Sequence, residues 1–167
     1  SADAKYNLTP MGSSLWLVAV ALEFVAFLIG GINFITTLMN SRAPGMKMYD
    51  IPIVLWMIVL ASILFMASVG PLMAGAVMLF CDQVFAIGCF DPSKGGDPIL
   101  WQHLFWFLAH PEVYVLILPA LGIVAEILAN NSRKPLWGYR SMVYSGIFLG
   151  FMSFVVWAHH MLSLIHI

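Results

Sequence analysis

Two short segments of this chain carry residue types that could bind a metal and move protons. One is the string His110-Pro111-Glu112-Val113-Tyr114, and the other is the pair His159-His160. Neutral imidazoles suit copper, zinc, iron or nickel, and three of them leave a coordination position open on the metal. A phenol and a carboxyl are common proton donors and acceptors in catalysis. The residue types therefore predict a metal site with proton-transfer groups beside it.

Both segments lie in apolar runs long enough to cross a bilayer, which takes about 20 helical residues. Four such runs cover residues 14–39, 52–80, 98–129 and 138–161. The chain is 62% hydrophobic and 9% charged, whereas soluble domains are about 25% charged. We predict an all-α integral membrane protein with four transmembrane helices in contact with membrane lipid. Ionisable residues inside such helices indicate a functional site.

The charges between the runs predict the orientation and exclude one class of partner. The loops at 40–51 and 130–137 contain basic residues, whereas the loop at 81–97 contains three aspartates and one lysine. By the positive-inside rule, the first two loops face the cytoplasm or its equivalent. The formal net charge is −1, without the basic cluster that nucleic-acid binding needs. Cys81 and Cys89 lack metal-binding spacing, so we predict two free thiols, with a disulfide as the alternative.

The two histidine segments fall at nearly the same depth if the third and fourth runs are antiparallel helices. His110 lies 19 residues before Ala129, and His159 lies 21 residues after Gly138. At 1.5 Å per residue, these separations are roughly 28 and 31 Å from one face of the membrane. Three imidazoles can therefore meet at one point. The alternative is a pair of interfacial histidines with a separate histidine in the core.

Tyr114 and Glu112 are predicted to point in different directions from their helix. Tyr114 follows His110 by four residues, which places both on one face. There the phenol can donate a proton and an electron; the alternative is a tyrosine hydrogen-bonded in a bundle core. Glu112 points away and suits a proton relay, or else pairs with a polar neighbour. His103 is nearer the end of its run and is predicted to be interfacial.

Four motifs together resemble subunit I of haem–copper cytochrome c oxidase. They are GINFITT at 31–37, DPILWQHLFW at 97–106, HPEVYVLILP at 110–119 and VWAHHM at 156–161. The likeness extends over almost the whole chain, and the combination is highly specific. It implies that residues 1–161 are part of a twelve-helix membrane bundle and correspond to its helices four to seven.

The resemblance implies a ligand set. His110, His159 and His160 would bind the copper of a binuclear centre. The second metal would be the iron of a haem, whose axial ligands lie on helices outside this chain. Tyr114 would be the tyrosine that the family links covalently to a copper-ligand histidine.

The resemblance also implies a reaction and partners. The catalytic subunit of a terminal respiratory oxidase reduces O2 to water with electrons from cytochrome c, coupled to proton translocation. Glu112 would stand at the top of a proton-input pathway, and Trp106 and Trp157 would pack near the copper centre. The partners would be oxidase subunits II and III, in a bacterial plasma membrane or the mitochondrial inner membrane. The isolated chain is expected to be inactive.

Two regions depart from the family pattern. Ala26 and Phe27 stand where the family usually has adjacent serines along a proton pathway, which affects how protons reach the centre. The tail at residues 162–167 does not continue the family sequence. We predict that it is non-native and that His166 carries no chemistry.

Other functions stay open on the sequence alone. A quinol oxidase shares the copper motif and differs in its electron donor. Nitric oxide reductases of the same superfamily lack the tyrosine at the position of Tyr114. In a different class, a proton-coupled transporter could use Glu112 and the histidines as a relay. A purely structural membrane fragment is the last alternative.

Overall fold

A computed structural model describes the protein over residues 10–164. Within that range the chain folds into helices without a β-strand: α1 (Pro10–Asn40), α2 (Ile53–Phe85), α3 (Pro98–Ser132) and α4 (Tyr139–Ser153). A 3₁₀ segment, Trp157–Leu164, follows α4. The first three helices and the stretch Tyr139–Leu162 are long and apolar enough to cross a membrane. The predicted all-α membrane protein with four transmembrane helices is therefore confirmed.

The ends of α3 show why the helices extend beyond the apolar runs. Pro98 fits the first turn, because its missing N–H would have no helical partner there. Asp97 caps this end by accepting a hydrogen bond from the Ile99 N–H at 2.8 Å. At the other end, Arg133 adopts a left-handed conformation with φ 52° and donates its N–H to the Ala129 carbonyl. These caps make α3 a helix of 35 residues.

α2 lies at the centre of the described fold and packs against each of the other three helices. Close approach to α3 depends on Gly122, where an added Cβ would lie 2.7 Å from the Cα of Val54. Two apolar clusters fill the contacts. One contains Ile53, Met57, Leu64, Leu118, Ala125 and Val143, and the other contains Phe24, Phe65, Val69, Leu72 and Leu108.

The fourth membrane-crossing stretch is not one continuous α-helix. The sequence predicted a helical run over 138–161, but α4 ends at Ser153 and gives way to the 3₁₀ segment. The Ser153 hydroxyl donates to the Gly150 carbonyl at 2.6 Å, a local bond that competes with helix continuation. Val155 and Val156 follow, and β-branched side chains lose rotamer freedom in a helix. The 3₁₀ segment then packs against α3.

Two sequence predictions concern the loops and the tail. Cys81 and Cys89 are free thiols in the structure. The predicted non-native tail, 162–167, begins within the 3₁₀ segment, and residues 165–167 lie outside the described part of the chain, as do residues 1–9. The origin of the tail and the role of His166 therefore stay predictions.

Candidate metal centre

Three histidines from two elements meet beside α3. His110 lies in α3, and His159 and His160 lie in the 3₁₀ segment. Each ring offers one nitrogen as a ligand atom, and these three nitrogens all lie within 4.8 Å of one another. His110 is buried, with 5% of its surface exposed, whereas His160 is half-buried and His159 is exposed. The sequence predicted that the histidines lie at nearly the same depth in the membrane, and in the structure they come together. These three residues are called here the three-histidine site.

The two consecutive histidines both face His110. Their own ring centroids are 4.1 Å apart, with ring planes 36° apart. The His110 ring lies edge-on to His159 at 4.5 Å and tilted to His160 at 5.1 Å. Neighbouring residues on an ideal α-helix would point about 100° apart. The break after α4 therefore matters, because the 3₁₀ segment lets both rings reach one site.

The ring nitrogens of the three-histidine site have few protein partners. His110 Nδ1 lies 2.9 Å from His160 Nε2, so one of these two atoms donates and the other accepts. The other nitrogen of His110, Nε2, is buried and has no hydrogen-bond partner within the described residues. A buried polar atom without a partner costs about 1–3 kcal/mol. Imidazole nitrogens with so few protein partners are available to bind a metal ion.

Tyr114 lies one helical turn beyond His110 on the same face of α3. The two ring centroids are 4.9 Å apart, and the rings meet edge-on at 70°. Tyr114 is half-buried and packs against the apolar cluster that includes Ile53 and Leu118. Core packing therefore holds the phenol beside the three-histidine site.

Comparison with known proteins supplies the family of this arrangement. A family model described as "Cytochrome C and Quinol oxidase polypeptide I" matches residues 1–164. The chain belongs to this family. The resemblance read from the motifs is thereby confirmed.

Individual relatives of this oxidase family agree. The chain is 46% identical over 150 residues to cytochrome c oxidase subunit 1 of Cereibacter sphaeroides, 41% identical over 152 residues to that of Bacillus subtilis (strain 168) and 37% identical over 152 residues to that of Synechocystis sp.. These matches cover 89%, 91% and 91% of this chain, and 26%, 24% and 28% of the relatives. The chain thus spans about a quarter of the length of the curated relatives it matches.

Family membership establishes the class of the protein. The chain is part of subunit I of a haem–copper oxidase and is an integral membrane protein. The family implies copper and haem in the complete subunit. Three converging imidazoles with an orphaned buried nitrogen fit a copper ion.

Glu112 lies near a second carboxyl that the sequence did not connect to it. It is half-buried on α3, and Glu23 on α1 is near enough to act electrostatically on its carboxyl group. Glu23 also lines an apolar cleft of about 490 Å³ between α1, α2 and α3, together with Ala26 and Phe27. Contacts between helices leave no local pattern in the sequence, so residue spacing did not connect Glu23 to Glu112.

The two tryptophans lie at different distances from the site of this oxidase subunit. Trp106 stacks directly on the His160 imidazole, with centroids 3.9 Å apart and planes 5° apart. Trp157 packs one layer further out, edge-on to Phe107 at 5.2 Å. Its indole N–H donates to Nδ1 of His103 at 3.2 Å. His103, predicted to be interfacial, is exposed and supports the site from outside the ligand set.

Proposed function

We propose that the complete subunit containing this chain is the catalytic subunit of a terminal respiratory oxidase. It reduces O2 to water with electrons from cytochrome c and couples the reaction to proton translocation. The observation that carries the proposal is the meeting of His110, His159 and His160 beside Tyr114. The printed names of the relatives, cytochrome c oxidase subunit 1, support the same assignment.

The three-histidine site is the part of the chain that holds the metal. His110 approaches from α3, and His159 and His160 approach from the 3₁₀ segment, so residues of two elements would hold the ion. When bound, copper would supply an open coordination position and one-electron chemistry beside a haem iron. The residues that would hold that haem belong to helices outside this chain. The burial of His110 keeps bulk water from its side of the site.

Tyr114 and Glu112 handle protons in this proposal. Tyr114, whose ring centroid lies 4.9 Å from that of His110, would donate its hydroxyl proton and one electron to oxygen, and an electron from cytochrome c together with a proton would restore the phenol. Glu112 passes protons toward the site from its half-buried position on α3. Because Ala26 and Phe27 offer no side-chain hydroxyl, protons reach Glu112 by a route that does not use these positions.

The electron donor and the partner subunits follow from the same assignment. The printed names of the relatives include cytochrome c, which is the donor in this proposal. Subunits II and III are the proposed partners that complete the enzyme. The family description also includes quinol oxidases, so a quinol is the second candidate donor. Oxygen consumption by the purified enzyme with reduced cytochrome c, compared with a reduced quinol, separates the two.

His110→Ala in the complete subunit tests the proposed site. Loss of one of three imidazoles is expected to abolish stoichiometric copper binding and O2 reduction, while haem content is retained. Metal analysis and an oxygen electrode measure these quantities. Gln83→Ala is the control, because Gln83 lies near the C-terminal end of α2. This variant is expected to keep both copper binding and O2 reduction. Copper content and activity that survive in His110→Ala would show that the ligand assignment is wrong.

The isolated chain provides a second test. We propose that it neither binds haem stably nor reduces O2, because the haem ligands lie on other helices. Titration of the purified chain in detergent with haem, followed by absorption spectroscopy, measures this. Stoichiometric haem binding by the isolated chain would contradict the placement of those ligands elsewhere.

A further inference from the structure

The His160 ring is held by residues outside its own segment. A 3₁₀ helix has poorer backbone hydrogen-bond geometry than an α-helix, so the segment alone is a weak support. The His160 imidazole stacks on the Trp106 indole, with planes 5° apart, and its Nε2 meets His110 Nδ1 at 2.9 Å. The orientation of the Trp106 indole therefore sets the orientation of the His160 ring.

Gln102 fixes that indole. The Nε1–H of Trp106 donates to Oε1 of Gln102 at 3.0 Å, one helical turn away on α3. Phe105 contacts the same indole edge-on, with centroids 5.1 Å apart. A stacked ring can still turn in its plane, whereas a directional hydrogen bond removes this freedom. Gln102 and Trp106 are both half-buried, so water competes less for the bond.

His103 fixes the start of the 3₁₀ segment. Neighbouring residues of an α-helix point about 100° apart, so His103 reaches a different partner from Gln102. Its Nδ1 accepts a hydrogen bond from the indole of Trp157, the first residue of the segment that carries His159 and His160. The contact uses the lone pair of this nitrogen, which leaves the other ring nitrogen, Nε2, outside it.

We propose that Gln102 and His103 are a pair of positioning residues for the three-histidine site. Each accepts a hydrogen bond from one indole N–H: Trp106 orients His160, and Trp157 anchors the segment that carries the histidine pair. Both residues act through their tryptophans and not as ligands. The interpretation of the oriented site as a copper centre rests on the proposed function, whereas the two hydrogen bonds do not.

The test compares Gln102→Leu with Gln102→Glu in the complete subunit within the assembled oxidase. Leucine has a similar size and removes the acceptor, whereas glutamate keeps an oxygen at the same place. Gln83→Leu is the matched control, because Gln83 also forms a side-chain hydrogen bond, to Ser13, at a position on α2 remote in sequence from the site. Ultraviolet resonance Raman spectra report the hydrogen bonding of the indole N–H. The infrared band of CO bound at the copper reports the arrangement of the histidines.

Gln102→Leu is expected to shift both spectroscopic signals. It should also lower O2 reduction by about 10- to 100-fold, the usual effect of losing an outer partner of metal ligands. Gln102→Glu should return the signals and the rate toward wild type, and Gln83→Leu should leave them unchanged. Gln102→Leu could instead shift the indole signal while the CO band and the rate of O2 reduction keep their wild-type values. In that case the hydrogen bond from Trp106 to Gln102 does not position the histidines, and the proposal is wrong.

A second pair of variants covers a failure to assemble. If Gln102→Leu does not assemble, His103→Phe is compared with His103→Gln by the same spectroscopic signals. Phenylalanine removes the hydrogen-bond acceptor of Trp157, whereas glutamine retains one. Wild-type values for His103→Phe would overturn the proposal. If the wild-type subunit contains no copper, the proposed function fails, while the indole signal still reports whether Gln102 holds Trp106. The two failures are therefore distinguishable.

Discussion

The indole of Trp106 lies flat on the imidazole of His160, with ring centroids 3.9 Å apart and planes 5° apart. The two residues belong to α3 and to the 3₁₀ segment, which are separated in the chain by the whole of α4. His110 lies one turn further along α3. One helix therefore supplies a member of the three-histidine site and also the surface that orients a second member.

Trp106→Leu removes this stack and frees the His160 ring. Aromatic stacking contributes about 0.5–1.5 kcal/mol beyond buried area. We therefore expect copper affinity to fall by about two- to twelvefold, and to fall less in Trp106→Phe, which keeps a smaller ring. Competition of the purified complete subunit with a copper chelator measures the affinity. Equal affinities of wild type and Trp106→Leu would contradict a role for the stack.

Tyr114→Phe removes one hydroxyl and keeps the ring that packs on His110 and the core. Assembly, haem content and copper content are expected to stay at wild-type levels. Loss of a positioned proton donor should lower the rate of O2 reduction by about 100-fold or more. An oxygen electrode measures the rate, and metal analysis controls for the site. A variant with wild-type turnover would show that Tyr114 has only a packing role.

Glu126 stabilises the start of α2 from the neighbouring α3. Its Oε1 accepts a hydrogen bond from the Ile53 N–H at 2.7 Å, a backbone group that has no partner inside its own helix. Glu126→Ala is expected to destabilise the protein by about 1–3 kcal/mol, and Glu126→Gln by less, since an amide oxygen can still accept. Thermal unfolding of the detergent-solubilised oxidase measures the difference. Alanine is the better helix former by only about a few tenths of a kcal/mol, which is less than the expected loss, so a midpoint of Glu126→Ala at or above that of Glu126→Gln would contradict a stabilising role of this contact.

Gly122 and Gly30 form a matched pair for testing helix packing. A Cβ on Gly122 would lie 2.7 Å from the Cα of Val54, whereas a Cβ on Gly30 would have no atom within 4 Å. Gly122→Ala must separate α2 from α3 and is expected to cost about 1–3 kcal/mol. Gly30→Ala is expected to be neutral or to stabilise by up to about 1 kcal/mol. The same thermal unfolding assay compares the two, and a greater loss in Gly30→Ala would contradict the packing.

Asp91 is expected to make the loop between α2 and α3 sensitive to acid. Hydrogen bonds from the hydroxyl and the backbone N–H of Ser93 lower the pKa of the Asp91 carboxyl. A group with a lowered folded pKa adds stability above its unfolded pKa of about 3.9, and this stability is lost as the pH falls through the folded value. We expect the hydrogen-exchange protection of the Ser93 and Lys94 amides, after correction for the intrinsic exchange rate, to begin to fall below about pH 4. Ser93→Ala should move this onset to higher pH, and an unchanged onset would count against the linkage.

Much of the site could be predicted from local sequence. The i, i+4 spacing of His110 and Tyr114 places them on one face of any α-helix, and the structure has them there. The equal depth of His110 and His159 follows from counting residues along two antiparallel helices. The break after Ser153 was not predicted, because it depends on a weak local competition between the Ser153 hydroxyl and the helix.

The sequence by itself determined that the chain crosses a membrane with four helices and that polar, metal-binding residues lie at one level within them. Apolar length and residue spacing are local properties, and these decide both points. Only the tertiary structure decided that Trp106 stacks on His160, that His103 holds Trp157 and that Glu126 caps α2. Each of these contacts joins residues from different elements. Their geometry depends on how the helices pack, which no spacing along a single helix encodes.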